Sequence, residues 1–79
     1  MRANLTFSMK DDRGSAIAAP AEKRLSELGF RRHGLRTYEA SGQPQADVFQ
    51  AIREFLDLLE EPNAPGHVAH LWIYLDDSN

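Results

Sequence analysis

The stretch HVAHLWIYLDD, residues 67–77, decides the fold, because its side chains are apolar on both sides of a strand. Read at the strand period of two, one side carries His67, Ala69, Leu71, Ile73 and Leu75. The other side carries Val68, His70, Trp72 and Tyr74. A strand in a small protein normally gives one side to the core and the other to water. We therefore expect a strand whose second side needs a cover.

Length and composition restrict the class of protein. A chain of 79 residues predicts a single domain, residues 1–79, and 42% apolar with 27% charged residues is typical of a globular fold. The absence of cysteine excludes disulfides, thiolate metal sites and a thiol nucleophile, and fits a cytoplasmic location. No apolar run approaches the roughly 18 residues of a membrane span, so we expect no membrane partner. The net charge of −3 argues against strong, sequence-independent binding of nucleic acid over the whole surface, but it leaves a local basic patch possible.

Hydrophobic periodicity predicts the elements before the closing strand. Residues 3–9 alternate as a half-buried strand. A helix is predicted from residues 17–19, which places Pro20 in its first turn, and it ends at Gly29. The stripe Val48, Ile52, Phe55 and Leu59 predicts a second helix, which the loop PNAPG, residues 62–66, terminates.

The segment FRRHGLRTYEA, residues 30–40, fits either one long strand or a very short hairpin that turns at His33-Gly34. His is a weaker residue than Asn or Asp at such a turn, so the sequence favours one strand, bent or bulged at Gly34. The predicted fold is a two-layer ferredoxin-like α/β (α+β) sandwich, with one small sheet and two helices on one face.

That architecture leaves the far face of the sheet uncovered. The residues predicted on it form a candidate dimer interface: Thr6, Ser8, Val68, His70, Trp72 and Tyr74. Exposed aromatic side chains on a flat sheet usually indicate a partner. A second copy of the chain is the favoured cover, and stacked nucleobases or a loop of the same chain are the alternatives.

Five blocks of the chain carry a resemblance to a known family. They are LTFSM, RLSELGF, GFRRHGLRTYEA, ADVFQAIREFL and APGHVAHLWIYLDD. In order and spacing they resemble the virulence-associated protein D (VapD) family and the related small ferredoxin-like CRISPR adaptation proteins, over residues 3 to about 77. The resemblance implies a small homodimer with endoribonuclease or toxin–antitoxin biology, and a protein partner such as a cognate antitoxin.

One position departs from that family, and it concerns catalysis. The family typically carries Asp after an aromatic residue near the end of the first strand, where it is associated with metal-dependent nuclease action, and this chain has Ser8. Serine is a poor ligand for Mg²⁺, and the adjacent Asp11 and Asp12 fit a solvated loop before a helix better than a metal site. We predict no cofactor, with Mg²⁺ expected only if nuclease activity survives, so the sequence leaves enzymatic activity open.

Basic and imidazole side chains supply the remaining candidates. Arg31, Arg32 and Arg36 are candidate phosphate contacts, or else the charges of a protected edge strand. His33 is a candidate general acid or base for RNA cleavage, although a lone His among arginines is more often a surface residue. His67 and His70 are three positions apart, so a regular strand places them on opposite sides and a two-histidine metal site is not expected from this strand.

These residues lead to one expectation for function and one rival. The first is a VapD-like homodimer in a nucleic-acid-related or toxin–antitoxin setting, as a degenerate endoribonuclease that binds RNA. The rival is a non-enzymatic dimeric module that binds a protein partner through its acidic helix or its sheet edge. The missing carboxylate at Ser8 favours the rival.

Overall fold

A four-stranded antiparallel sheet and two helices make up the fold in the computed structural model, which describes residues 1–63 and 65–77. The strands are β1 (Arg2–Lys10), β2 (Arg31–Gly34), β3 (Thr37–Ala40) and β4 (His67–Asp76), and the helices are α1 (Ala18–Glu27) and α2 (Gln45–Leu59). The strand order β2-β3-β1-β4 confirms the predicted ferredoxin-like sandwich. Ala64 of the predicted loop, and Ser78 and Asn79, lie outside the described residues. Among the described helices, none is long and apolar enough to cross a membrane.

The core lies between the helices and one face of the sheet. Phe7 of β1 meets Phe55 of α2 edge to face, with ring centroids 5.1 Å apart and an interplanar angle of 75°. The predicted stripe of α2 is confirmed, because Val48, Phe55 and Leu59 are buried and Ile52 packs against them. A buried apolar side chain of this size contributes about 1.5–3 kcal/mol to stability, so this layer holds the helices on the sheet.

The predicted single strand over residues 30–40 is wrong, because the chain reverses between β2 and β3 and forms a hairpin. The reversal lies at Leu35 and Arg36, two residues beyond the alternative turn at His33-Gly34. Arg36 takes a positive φ of 58°, and its guanidinium donates to the Ser15 hydroxyl at 3.1 Å. A positive φ is strained for any residue except glycine, and the contact with Ser15 holds Arg36 in this conformation. The predicted irregularity does occur, as a register shift between Arg32 and Gly34.

Asp12 organises the start of α1. Its Oδ1 accepts the Ile17 N–H at 2.8 Å and its Oδ2 accepts the Ala18 N–H at 2.9 Å, which satisfies two amides that have no partner inside the helix. The predicted start is confirmed, with Pro20 in the first turn. A Cβ at Gly66 would lie 2.8 Å from Asp12 Cα, so the chain entering β4 also passes against this residue.

A bulge in β4 changes which side chains face the helices. Ser8 pairs with His70 but Met9 pairs with Val68, so Ala69 is the extra residue. The prediction that Val68 lies on the uncovered face is therefore wrong, because Val68 packs against the core beside Met9. The placement of His67 is also corrected. It pairs with Lys10 and shares the uncovered side with His70, because one inserted residue reverses the alternation.

We predict that Asp12→Asn lowers the free energy of unfolding by about 1–2 kcal/mol, because one of the two acceptor oxygens becomes an amide NH₂, a donor that faces a backbone N–H. Asp11→Asn is the matched control, since Asp11 is exposed and its positive φ of 60° suits asparagine equally well. Urea unfolding followed by circular dichroism measures both variants. Equal stability of the two variants would contradict the capping role of Asp12.

Candidate functional site

The side of the sheet that faces away from the helices is the candidate site, and we call it the open face. Its side chains follow from the strand registers and are Arg2, Asn4, Thr6, Ser8 and Lys10 of β1, Arg31 of β2, Thr37 and Glu39 of β3, and His67, His70, Trp72, Tyr74 and Asp76 of β4. Five of the six side chains predicted for the interface lie here, and Val68 does not. Their role as an interface stays a prediction.

The centre of the open face is polar. Thr6 and Thr37 are cross-strand neighbours whose hydroxyls lie 3.4 Å apart, and Asn4 pairs with Glu39 in the same two strands. The two central strands, β1 and β3, therefore offer no aromatic ring on this side for a base to stack on. Whatever apolar attraction the face exerts comes from β4.

Exposed apolar surface concentrates along β4, which is an edge strand of the sheet. The Trp72 side chain pairs across from Thr6 and is 72% exposed, and Tyr74 is 46% exposed. Leu71 lies between Trp72 and the bulge. It points to the helix side, where it is the cross-strand neighbour of the buried Phe7, yet it is 38% exposed. We call Leu71, Trp72 and Tyr74 the β4 patch. Sequence reasoning identified the two aromatics and missed Leu71, because alternation assigns it to the core.

The basic residues divide into two groups. Arg31, Arg32 and His33 are exposed on β2, the edge opposite β4. Among the described residues, neither Arg31 nor Arg32 forms an ion pair, whereas His33 Nε2 lies 3.3 Å from Glu39 Oε2. Arg32 folds back, with its Nε donating to the Gly34 carbonyl at 3.0 Å. β2 thus carries two exposed arginines at one edge of the sheet, Arg31 beside Glu39 on the open face and Arg32 beside Tyr38 on the other side.

Arg36 does not belong to that pair. Its guanidinium bonds to Ser15, lies 3.7 Å from a Glu22 carboxylate oxygen and sits 5.8 Å from the centroid of the Phe7 ring. The Tyr38 hydroxyl donates to the same Glu22 at 2.7 Å, and burial, with this hydrogen bond, raises the pKa of Tyr38 to about 12. The structure therefore places Arg36 in a network that fixes the hairpin on α1, apart from Arg31 and Arg32.

The weak catalytic candidates are not brought together. Ser8 lies on β1 opposite His70, His33 lies on β2, and Asp11 and Asp12 follow β1 in a loop. Both oxygens of Asp12 already accept backbone amides, and the described residues contain no cluster of three or more His, Asp or Glu side chains that could hold a metal. Mg²⁺ is usually held by one or two carboxylates together with waters, and the amide contacts of Asp12 leave Asp11 as the remaining acid of this pair.

We predict that the purified chain leaves labelled RNA equally intact in Mg²⁺ and in EDTA, because Asp12 is committed to helix capping and Asp11 alone is a poor site. Ser8→Asp is the informative variant, since it puts a carboxylate where the resembled family carries one. Robust Mg²⁺-dependent cleavage by the unmodified chain, abolished in Asp11→Asn, would contradict this assignment. Denaturing gel electrophoresis of the RNA is the readout.

The chain matches no family model, no curated protein and no solved structure. The likeness to the VapD family is therefore carried by the five sequence blocks alone. A role for the open face has to be inferred from its own geometry: a polar centre, a basic edge at β2 and an apolar edge at β4.

Proposed function

We propose that this chain is a non-enzymatic homodimeric interaction module, in which a second copy covers the β4 patch. The observation that carries the proposal is the exposure of Trp72 (72%) and Tyr74 (46%) side by side on the side of the sheet that the helices do not cover. Exposed aromatic patches of this kind mark interaction surfaces in soluble proteins.

The energetics support a second copy. Aromatic side chains bury about 150–250 Å² each, and apolar burial stabilises by about 25 cal/mol per Å², so covering part of both rings contributes about 2–5 kcal/mol per chain before association costs. A domain of 79 residues has a small core and a stability of only a few kcal/mol. The contact would therefore rival the stability of one isolated chain.

The arrangement of reactive side chains supports the non-enzymatic part of the proposal. Ser8, His33 and the Asp11-Asp12 pair lie on three separate elements, and Asp12 has a structural task. A general base has to lie within hydrogen-bond reach of the group that it serves, and these candidates are dispersed. The resemblance to the VapD family supports a toxin–antitoxin or nucleic-acid-related setting for such a dimer, with a cognate antitoxin as the kind of protein partner.

Nucleic-acid binding at β2 is a second candidate function. Arg31, Arg32 and His33 are consecutive and exposed, and neither arginine forms an ion pair within the described part of the chain. Guanidinium groups in this state are available to phosphate oxygens, which supply most of the affinity of proteins for nucleic acid. The short length of β2 and its charges equally suit an edge strand that is protected against aggregation.

We predict that the unmodified chain sediments at twice its 8.9 kDa at micromolar concentration and that Trp72→Glu sediments as a monomer, because a buried charge replaces the largest ring of the patch. Leu35→Glu is the matched control. Leu35 is 82% exposed in the β2–β3 turn, so the same charge is added to an equally accessible apolar residue away from β4. Analytical ultracentrifugation gives the mass, and circular dichroism confirms that each variant is folded.

A folded, unmodified chain that remains at 8.9 kDa up to high micromolar concentration would overturn the homodimer. If Leu35→Glu dissociates the dimer and Trp72→Glu does not, the interface lies at the β2 edge of the sheet and not at β4.

We predict that replacing both Arg31 and Arg32 with Ala weakens RNA binding. The slope of log K against log salt should fall by about 0.7–0.9 for each phosphate that the variant no longer neutralises. The control replaces Arg13 and Arg53, both exposed and outside β2, so that the net charge changes equally. Fluorescence anisotropy with labelled single-stranded RNA at several salt concentrations measures the slope. Identical slopes for the two double variants would remove β2 as the binding surface.

A further inference from the structure

We propose that the two copies join edge to edge, with β4 of one chain pairing antiparallel to β4 of the other about a two-fold axis at Ile73. The two four-stranded sheets then form one continuous sheet. This inference rests on the proposed homodimer and specifies its geometry. It differs from a face-to-face dimer, in which the open faces would stack.

β4 is exposed on both of its sides. Leu71 points to the helix side and Trp72 points to the open side, yet both are exposed, at 38% and 72%. A partner that lies on the open face covers Trp72 and leaves Leu71 in water. A strand added alongside β4 runs past the side chains of both faces, so it covers Leu71 and Trp72 together.

The two edges of the sheet differ in length and in charge. β2 is a four-residue edge with two arginines and a register shift, which are common devices against unwanted strand pairing. β4 has ten residues, and from His67 to Leu75 it contains no Lys, Arg, Asp, Glu or Pro. Its backbone groups are paired with β1 on one side. A long, uncharged edge of this kind is a template for another strand.

Self-complementarity of the sequence identifies the occupant as a second copy. With the axis at Ile73, Trp72 of one chain lies opposite the partner's Tyr74, and Leu71 lies opposite the partner's Leu75. Each pair joins side chains of the same face, as antiparallel pairing requires. Further out, the His70 imidazole faces the partner's Asp76 carboxylate, which is positioned by its 2.9 Å contact with Arg2. Every pair occurs twice, as in an isologous interface.

Neighbouring registers match less well. An axis at Tyr74 places Trp72 opposite the partner's Asp76, which buries a ring against a carboxylate. An axis at Trp72 extends the pairing into the bulge and sets Val68, which packs on the core, opposite the partner's Asp76 on the open side. The Tyr74 and Trp72 axes also set one aromatic ring opposite its own copy, but among these three only the Ile73 axis pairs the Asp76 carboxylate with an imidazole.

Site-directed cross-linking tests the register, because the chain has no cysteine of its own. Residues opposite each other in an antiparallel pair have Cα atoms about 4.5–5.5 Å apart, which is within disulfide range. We expect Ile73→Cys to form a disulfide-linked dimer under mild oxidation. Thr6→Cys, at the centre of the open face, should stay monomeric on a non-reducing gel, although it would cross-link readily in a face-to-face dimer.

Amide hydrogen exchange by NMR provides a measurement on the unmodified chain. Alternate amides of β4 point away from β1, and edge pairing should slow their exchange at least tenfold relative to Trp72→Glu under the same conditions. A dimer by ultracentrifugation with fast exchange at these amides, or with cross-linking at Thr6→Cys and none at Ile73→Cys, overturns the edge geometry but leaves the homodimer standing. A monomer by ultracentrifugation overturns both.

Discussion

The pairing of β1 with β4 is the interaction on which the rest of the structure depends. It joins the two ends of the described chain, from Arg2 opposite Asp76 to Lys10 opposite His67, and it places β1 in the interior of the sheet. Because β1 contributes Leu5 and Phe7 to the core, the register of β4 decides which of its own side chains reach the helices. Ile73 and Leu75 do so, and Trp72 and Tyr74 are thereby turned away from them.

The position of the two helices determines which side chains of the sheet are exposed. Both helices lie on one side of the sheet, so no element within the described residues covers the aromatic side chains of β4. The two edges of the sheet differ in length and in charge, with β2 short and basic and β4 long and uncharged over most of its length. These differences support a division of roles, in which β4 binds a second copy and β2 is left for charged partners or for protection.

Much of the fold follows from periodicity, because burial repeats at the spacing of the element. The alternation of residues 3–9 and the stripe of α2 predicted β1 and α2, and the ferredoxin-like order followed from right-handed crossovers. The exposure of Trp72 and Tyr74 was predicted by the same alternation, because one sheet has only one covered face.

What periodicity could not predict depends on single, non-repeating contacts. The bulge at Ala69 exchanges the sides of His67 and Val68, and no residue type at that position signals it. The turn at Leu35 and Arg36 depends on a guanidinium held by Ser15 and Glu22, which are distant in sequence. The capping role of Asp12 was obscured for a similar reason, since its oxygens reach amides five and six residues ahead.

Trp72 is the only tryptophan in the chain, so its fluorescence reports directly on whether a second copy covers it. The measurement is acrylamide quenching of the unmodified protein over a dilution series from micromolar to nanomolar concentration, with far-ultraviolet circular dichroism confirming the fold. If a second copy covers Trp72, quenching is weaker and the emission is blue-shifted at high concentration, and dilution produces a transition to an exposed tryptophan. Strong, concentration-independent quenching of a folded chain would contradict a dimer that covers Trp72.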